Sequence, residues 1–363
     1  MKYFLLFFLT LQVSKAELVK PSTEFLTFWG GLNRYMKPYW HEGKMTLLKS
    51  DNVLSEPLPV YVTKKEGKAP LVILFPGVFG KPDGMIVPGM IHEIEKLKTH
   101  VIVFPSLISE SYLGIRKNKS STDIWSEEAQ NQISLVKAAI ELIGEDKIES
   151  ISLIAESLGS WQAIMLLEGD FKFSSFVLLA PPLHLNHAVD RFDDLLLKNS
   201  KIFNECSYWW KWPFIIGKFY QAKMPNLVEA QDNECLGAYG IHSFEKSIAK
   251  VSKKIFEKKE LKKDEPKTFR GFVEAVMPEF LPVFDPNNEK LSILAWREKI
   301  LQRSTSFKIV SAEDDFLNSK EEWSEFLKEK SSQQEVIIYP YGGHSGLIGE
   351  DNFWQKLLKD FKL

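Results

Sequence analysis

The chain has 363 residues, of which 44% are hydrophobic and 26% are charged, and its formal net charge is −2. This length and apolar content fit one large domain with an insertion, or two domains, with ample material for a core. A dedicated nucleic-acid-binding protein needs a basic surplus for its phosphate contacts, and the balanced charge argues against that class.

The first 16 residues have the features of an export signal. Lys2 supplies a positive charge, and residues 3–13 are almost wholly apolar. Ser14 and Ala16 place small residues at the minus three and minus one positions of a cleavage site. The apolar run is too short to span a bilayer, which takes about 20 residues. We therefore expect residues 1–16 to be the cleaved signal peptide of a secreted or periplasmic protein, with an uncleaved membrane anchor as the alternative.

The chain contains two cysteines, Cys206 and Cys235. In an oxidising compartment an isolated pair of cysteines is a disulfide candidate, whereas in a reducing compartment the two are ordinary buried thiols. Because the N-terminus indicates export, we predict a disulfide between them.

Apolar runs predict the strands in the first half of the chain. Residues 44–49 and 59–63 alternate weakly between apolar and polar side chains, which is typical of antiparallel edge strands. Four continuous apolar runs, as strands buried on both faces need, lie at residues 70–75, 100–104, 151–155 and 176–180. Helices are predicted between them at residues 86–98 and 123–143. This alternation indicates an α/β fold with a mostly parallel, doubly wound sheet.

The alternation of strands and helices stops after residue 182. Residues 183–303 contain no convincing interior strand and predict helices or irregular structure. Further elements are predicted beyond them, with strands at residues 307–311 and 335–339 and helices at residues 320–330 and from Asn352. We expect an α/β core of residues 17–182 and 304–363, with residues 183–303 inserted as a mainly helical lid.

One predicted strand turns into a helix with very few residues between the two elements. The apolar run 151–155 is followed closely by Ser157, and a helix rich in Ala, Leu, Ile and Met is predicted from Ser160. Such a sharp turn strains the backbone of its central residue and needs small side chains two positions before and after it. Ala155 and Gly159 meet this requirement, so the Ser157 hydroxyl is expected at the end of the sheet.

Two segments downstream complete a pattern with this turn. Residues 311–317 read Ser-Ala-Glu-Asp-Asp-Phe-Leu just past a predicted strand, and His344 lies between glycines just past the last one. A serine hydroxyl needs a base to remove its proton and a third group to orient that base. The order serine, acid, histidine resembles the α/β-hydrolase superfamily, whose nucleophile elbow commonly has glycine where this chain has Ala155. The resemblance covers nearly all of the chain from about Tyr61 onward.

The resemblance implies a role for three side chains. Ser157 would be the nucleophile, His344 the general acid and base, and an aspartate the group that orients His344. The family commonly shows Gly-x-x-Asp at the acid. Alignment of Ala312 with that glycine selects Asp315, which we prefer, whereas alignment one residue earlier selects Asp314.

The resemblance also implies an oxyanion hole built from main-chain N–H groups. One donor belongs to Leu158, which follows the nucleophile, and the other belongs to Val78, which follows Gly77 in the loop after the third strand. Relatives often begin this loop with His-Gly, whereas this chain has Pro76-Gly77. The donors are main-chain groups, so the missing histidine leaves them intact.

Three other patterns have alternative chemical interpretations. The residues His184, His187 and Asp190 have a spacing that suits a metal, but no fourth ligand is evident. Two Ser-x-x-Lys sequences, at Ser134 and Ser247, match a motif of penicillin-recognising enzymes whose companion motifs are missing. We therefore expect neither a metal nor an organic cofactor.

The resemblance thus implies a secreted serine hydrolase that cleaves carboxylic esters through an acyl-enzyme. A thioesterase, lipase or peptidase would use the same triad, and a non-catalytic binding protein that retains the fold is the alternative of another class. The expected partner is a small-molecule or lipid-like acyl substrate, with no nucleic acid. In the lid, Trp209, Trp210 and Trp212 predict an apolar wall for the acyl group, packing of the lid onto the core, or peripheral contact with a membrane.

Overall fold

A computed structural model describes residues 17–28, 42–49, 54–82, 88–117, 123–206, 228–260, 264–280, 288–328, 331–346 and 353–359. The predicted signal peptide and the three lid tryptophans lie outside these residues. Among the helices in the described ranges, none has the length and apolar character needed to cross a bilayer.

The core of the structure is a sheet in which eight strands are described. The described strands are β1 (Leu18–Val19), β2 (Lys44–Leu48), β3 (Leu58–Thr63), β4 (Ala69–Phe75), β5 (His100–Val103), β6 (Ile148–Glu156), β7 (Ser175–Leu179), β8 (Val228–Glu229), β9 (Phe307–Ala312) and β10 (Gln334–Tyr339). The strand order in the sheet is β10-β9-β7-β6-β4-β5-β3-β2. Strands β2 and β3 run antiparallel at one edge and the others run parallel, which confirms the predicted sheet.

The central strands are buried on both faces, and β4 shows why their sequences are continuously apolar. Leu71 and Ile73 pack into the apolar layer on one face, whereas Val72 and Leu74 pack into the layer on the other. Successive side chains of a strand point to opposite faces, so a strand covered on both sides needs an apolar residue at every position.

Helices cover both faces of the sheet. The described helices are α1 (residues 23–28), α2 (Pro88–Glu95), α3 (Glu110–Leu113), α4 (Ile124–Ile143), α5 (Gly159–Met165), α6 (Leu185–Glu205), α7 (Ala230–Lys258), α8 (Phe269–Val276), α9 (Ile293–Arg303), α10 (Lys320–Lys328) and α11 (Phe353–Lys359). Helices α2 and α11 pack on one face, and α4, α5, α9 and α10 pack on the other. The sheet is therefore doubly wound, as predicted.

The described residues of the segment between β7 and β9, which we call the insertion, are mainly helical, as the sequence predicted. Helices α6, α7 and α8 belong to it, and its short strand β8 pairs with β1 rather than with the main sheet. Cys206, which follows α6, forms a disulfide with Cys235 of α7, so the predicted bond is confirmed. At the end of the insertion, Trp296 of α9 stacks on Trp125 of α4 with ring centroids 5.6 Å apart, so α9 packs on the core.

The structure moves some element boundaries. Strand β6 begins at Ile148, three residues before the apolar run that predicted it. Its first four residues are exposed or half-buried, so hydrophobicity does not mark this end of the strand. Helix α4 begins where predicted, because the Asp123 carboxylate caps it by accepting the main-chain N–H of Ser126 at 3.1 Å.

Candidate active site

Ser157 lies at the turn between β6 and α5, in the strained geometry that the sequence predicted. Its φ is 52°, and its N–H donates to the carbonyl of Leu179 on the neighbouring strand at 2.8 Å. A Cβ at position 159 would lie 2.4 Å from the carbonyl oxygen of Phe75, so this close approach requires Gly159. The turn therefore holds the Ser157 hydroxyl at the carboxyl end of the sheet.

The structure brings His344 and Asp315 to this hydroxyl. His344 Nε2 lies 2.8 Å from Ser157 Oγ, and His344 Nδ1 lies 3.0 and 3.1 Å from the two carboxylate oxygens of Asp315. A carboxylate can only accept, so Nδ1 carries the proton and Nε2 is left to accept from the serine hydroxyl. The three side chains form one continuous chain of hydrogen bonds.

Asp315 is buried and its carboxylate is held by further donors. The N–H of Leu317 donates to Oδ1 at 3.0 Å, and the hydroxyl of Ser311 donates to Oδ2 at 3.4 Å. Both donors lie within four residues of Asp315: Ser311 is in β9, and Leu317 is in the turn that follows it. These two hydrogen bonds therefore fix the orientation of the Asp315 carboxylate toward the imidazole of His344.

The adjacent carboxylate, Asp314, has a different partner. Its Oδ1 accepts the main-chain N–H of Gly343 at 2.9 Å, and burial raises its pKa above the ordinary value despite that N–H and the N–H of Gly342. The two candidate acids therefore have different contacts. Asp315 faces the His344 ring, and Asp314 binds the main chain of the loop that carries His344.

Leu158 and Val78, the two residues expected to form the oxyanion hole, lie beside Ser157. Both line the same cavity as Ser157. The loop after β4 turns tightly there, with the N–H of Gly80 donating to the carbonyl of Gly77 at 2.9 Å. A Cβ on Gly77 would lie 3.1 Å from Ser157 Cβ, so the main chain that leads into Val78 passes directly against the serine.

A cavity of about 370 Å³ opens onto Ser157 and His344. Much of its lining is apolar, and many of the large side chains come from the insertion and from the turn after β9. They include Leu185, Val189, Phe192, Ile241, Phe244, Phe269, Phe316 and Leu317. Phe192 is the centre of this wall, with ring centroids of Phe244 at 4.7 Å and Phe316 at 5.9 Å. The predicted wall of Trp209, Trp210 and Trp212 lies outside the described residues and stays a prediction.

The histidines at the start of α6 engage protein groups. His187 Nδ1 lies 2.8 Å from Glu322 Oε1, and the Asp190 carboxylate pairs with Arg270. The ring of His184 stacks on that of His187 at 3.9 Å, and burial lowers the pKa of His184. Within the described ranges, no group of three or more His, Cys, Asp or Glu side chains is arranged to hold a metal ion.

Sequence reasoning missed the N-terminal segment of this site. Glu24, Thr27 and Phe28 of α1 line the cavity, and the Thr27 hydroxyl contacts the main chain of His344. The sequence carries no motif at these positions. Their role follows from contacts between residues that lie about 300 positions apart, and such contacts leave no local signal.

No family model and no curated protein sequence matches the chain. Among solved structures, an esterase of Pyrococcus furiosus is 16% identical, with 88% of each chain covered and a TM-score of 0.49. The α/β hydrolase GrgF of Penicillium is 13% identical, with 87% of this chain and 95% of that chain covered and a TM-score of 0.48. The acylaminoacyl peptidase of Pyrococcus horikoshii is 12% identical, with 90% of this chain and 42% of that chain covered and a TM-score of 0.52.

At sequence identities this low, a similarity to solved structures is evidence about the fold alone. Of these three structures, the peptidase has a TM-score above 0.5. The chain's own topology agrees with that similarity. The mostly parallel sheet, the strand-turn-helix unit around Ser157 and the chain order Ser157, Asp315, His344, each just past a strand, all fit one architecture. The chain therefore has the fold of the α/β-hydrolase superfamily, as the sequence predicted.

Proposed function

We propose that the protein is a serine hydrolase that cleaves carboxylic esters, with Ser157 as nucleophile, His344 as general acid and base, and Asp315 as the group that orients His344. The observation that carries this proposal is the chain of hydrogen bonds from Ser157 Oγ through His344 to the buried Asp315 carboxylate. This arrangement supplies the base and the orienting group that a serine hydroxyl requires.

The reaction has two halves. His344 Nε2 takes the hydroxyl proton as Ser157 Oγ bonds to the ester carbonyl carbon, and the carbonyl oxygen becomes an oxyanion beside the N–H groups of Leu158 and Val78. The intermediate collapses, the alcohol leaves with the proton from His344, and an acyl-enzyme remains. Water then attacks the acyl-enzyme as His344 takes its proton. The second intermediate collapses as His344 returns that proton to Ser157 Oγ, which releases the carboxylic acid and free Ser157.

The cavity supports an ester whose acyl group is apolar. Its volume of about 370 Å³ falls within the roughly 300–1,000 Å³ typical of small-molecule sites. Phe192, Phe244 and Phe269 offer hydrocarbon surface close to Ser157, and each buried methylene contributes about 0.8 kcal/mol. Catalysis should therefore favour acyl chains that extend from the serine into this wall.

We further propose that the protein is secreted or periplasmic. The proposal rests on the sequence of residues 1–16. The disulfide between Cys206 and Cys235 supports it, because such bonds persist in oxidising compartments. Peripheral contact of the lid with a membrane remains a proposal from the tryptophan-rich sequence alone.

The test is covalent labelling with a fluorophosphonate, followed by peptide mapping and hydrolysis of chromogenic esters. We expect one label on Ser157, and loss of both labelling and hydrolysis in Ser157→Ala. Ser160→Ala is the matched control, since Ser160 is fully buried near the start of α5 and its replacement should keep both activities. A label elsewhere would identify a different nucleophile. A folded protein that neither labels nor hydrolyses any ester would instead support the binding-protein alternative.

A further inference from the structure

Residues 17–28 precede the main sheet in sequence but lie against the active site. Strand β1 pairs with β8 of the insertion, and the main-chain N–H of Ser22 donates to Asn233 Oδ1 at 2.6 Å. Phe25 and Leu26 are buried in a small apolar cluster with residues of the insertion. The segment is therefore anchored to the lid by backbone pairing, a polar contact and apolar packing.

Helix α1 contacts both segments that carry Asp315 and His344. The hydroxyl of Thr23 donates to the carbonyl of Asp314 at 2.6 Å. The main-chain N–H of His344 donates to the hydroxyl of Thr27 at 2.9 Å, and that hydroxyl in turn donates to the carbonyl of Thr23 at 2.9 Å. The Thr27 hydroxyl thus serves at once as acceptor for His344 and as donor within its own helix.

The loop that carries His344 packs directly onto the backbone of α1. A Cβ on Gly343, whose φ is 59°, would lie 2.4 Å from the carbonyl oxygen of Thr23, and a Cβ on Gly346 would lie 2.7 Å from that of Leu26. On its other side, the N–H of Gly343 donates to the Asp314 carboxylate at 2.9 Å. The loop is therefore held between Asp314 and α1.

We propose that Thr27 is a positioning residue for the reaction, because its hydroxyl fixes the main chain of His344 and thereby the distances from the imidazole to Ser157 and Asp315. The inference rests on the proposed function of that triad. A hydrogen bond of 2.8 Å between Nε2 and Oγ tolerates little displacement, and a shift of about 1 Å at such a site costs roughly 100-fold in rate. The N-terminal segment is thus part of the active site through Thr27.

The test compares Thr27→Val, which keeps the shape and removes the hydroxyl, with Thr27→Ser, which keeps the hydroxyl. On a short chromogenic ester we expect Thr27→Val to lower kcat about 10- to 100-fold with KM within about twofold. Thr27→Ser should stay within about threefold of the wild type. Thr99→Val is the matched control, because the buried Thr99 hydroxyl also donates to a main-chain carbonyl but lies away from the site. It should leave kcat unchanged at a similar cost in melting temperature.

A second measurement keeps this inference separate from the proposed function. The Nδ1–H proton of His344 and the pH titration of its ring are followed by NMR in the wild type and in both Thr27 variants. The proton signal and the titration midpoint should shift in Thr27→Val and return in Thr27→Ser, whether or not the protein hydrolyses esters. Unchanged NMR signals in a folded Thr27→Val variant, or equal losses of kcat in the valine and serine variants, would overturn the positioning role. A wild type inert to the fluorophosphonate would count against the proposed function instead.

Discussion

His344 Nδ1 lies 3.0 and 3.1 Å from the carboxylate oxygens of Asp315, whereas the carboxylate of the next residue back, Asp314, accepts the main-chain N–H of Gly343. Two adjacent acids thus act on one loop in different ways. Asp315 sets the direction and tautomer of the imidazole, and Asp314 holds the backbone that presents it. This division of contacts makes the two carboxylates separable by experiment.

Replacement of each acid by its amide tests this separation. Asp315→Asn should lower kcat by about 10⁴-fold, because an amide NH₂ opposite Nδ1 favours the wrong imidazole tautomer. Asp314→Asn keeps an oxygen that can accept from Gly343 and should lower kcat by less than about tenfold. Both rates are measured on the same chromogenic ester, with melting temperatures as the check on folding. If Asp314→Asn were the more damaging change, the assignment of Asp315 would be wrong.

Local sequence was enough to predict the position of Ser157. For the acid, the family alignment favoured Asp315, which the structure places at His344, but the residues alone left Asp314 open. The turn around Ser157 is set by residues within two positions of it, and Gly159 is required because a Cβ there would lie 2.4 and 2.6 Å from the carbonyl oxygens of Phe75 and Pro76. Asp314 and Asp315 both follow β9 and both are acidic. Which carboxylate faces His344 depends on the backbone conformation around Asp315, whose carboxylate accepts hydrogen bonds from Ser311 and Leu317. A sequence pattern does not encode that conformation.

The arrangement of the apolar side chains around the cavity could not be predicted from the sequence, for a different reason. The apolar faces of α6 and α7 are visible as helical periodicity, and periodicity predicts burial. It does not say whether a buried face packs against protein or lines a cavity. The rings of Phe192 and Phe244 contact each other and line the cavity beside Ser157, and this arrangement depends on the relative placement of α6 and α7, which the disulfide joins.

The apolar wall predicts a chain-length preference that a single substitution should shorten. Wild-type kcat/KM should rise by about fourfold for each added methylene until the cavity is full. Ala188→Leu places extra carbons in the lining and should abolish the gain for long chains while leaving acetate esters within about twofold. Ala238→Leu is the matched control, since Ala238 is equally buried in the insertion but lies off the cavity wall. A flat preference in the wild type would contradict an acyl-binding role for this cavity.

His100 should make folding stability depend on pH. The main-chain N–H of Lys65 donates to its Nδ1 at 3.1 Å, and its Nε2 faces the carbonyl of Lys147 at 3.1 Å, which fixes a neutral ring. Burial lowers the pKa of His100, and the neighbouring lysines lower it further. Between this lowered pKa and about 6.5, the unfolded state binds more protons than the folded state, so stability is full above about pH 6.5 and falls as the pH drops.

Chemical unfolding at a series of pH values checks this dependence. The free energy of unfolding should decline as the pH falls below about 6.5 in the wild type, and the decline should be shallower in His100→Gln, whose side chain does not titrate. An NMR titration of the His100 ring gives the direct comparison. A His100 midpoint at or above the value of an unfolded chain would contradict the prediction.

Because of the disulfide, we expect the stability of the protein to depend on whether Cys206 and Cys235 are oxidised or reduced. Cys206 and Cys235 are 29 positions apart, and closing a loop of that length stabilises a protein by about 3–4 kcal/mol in the chain-entropy model. The bond joins the end of α6 to α7, and both helices contribute to the cavity wall. Reduction should therefore loosen the wall as well as lower the melting temperature.

The double variant Cys206→Ser, Cys235→Ser separates the bond from other effects of a reductant. Adding the reductant should lower the melting temperature of the wild type toward that of the double variant and leave the double variant unchanged. Activity on long-chain esters should fall more than activity on acetate esters, because Ser157, Asp315 and His344 lie outside the closed loop whereas the long-chain wall depends on α6 and α7. Thiol titration of the denatured, unreduced wild type should find no free thiol. Two titratable thiols in that sample, or a wild-type melting temperature that the reductant does not change, would refute the bond.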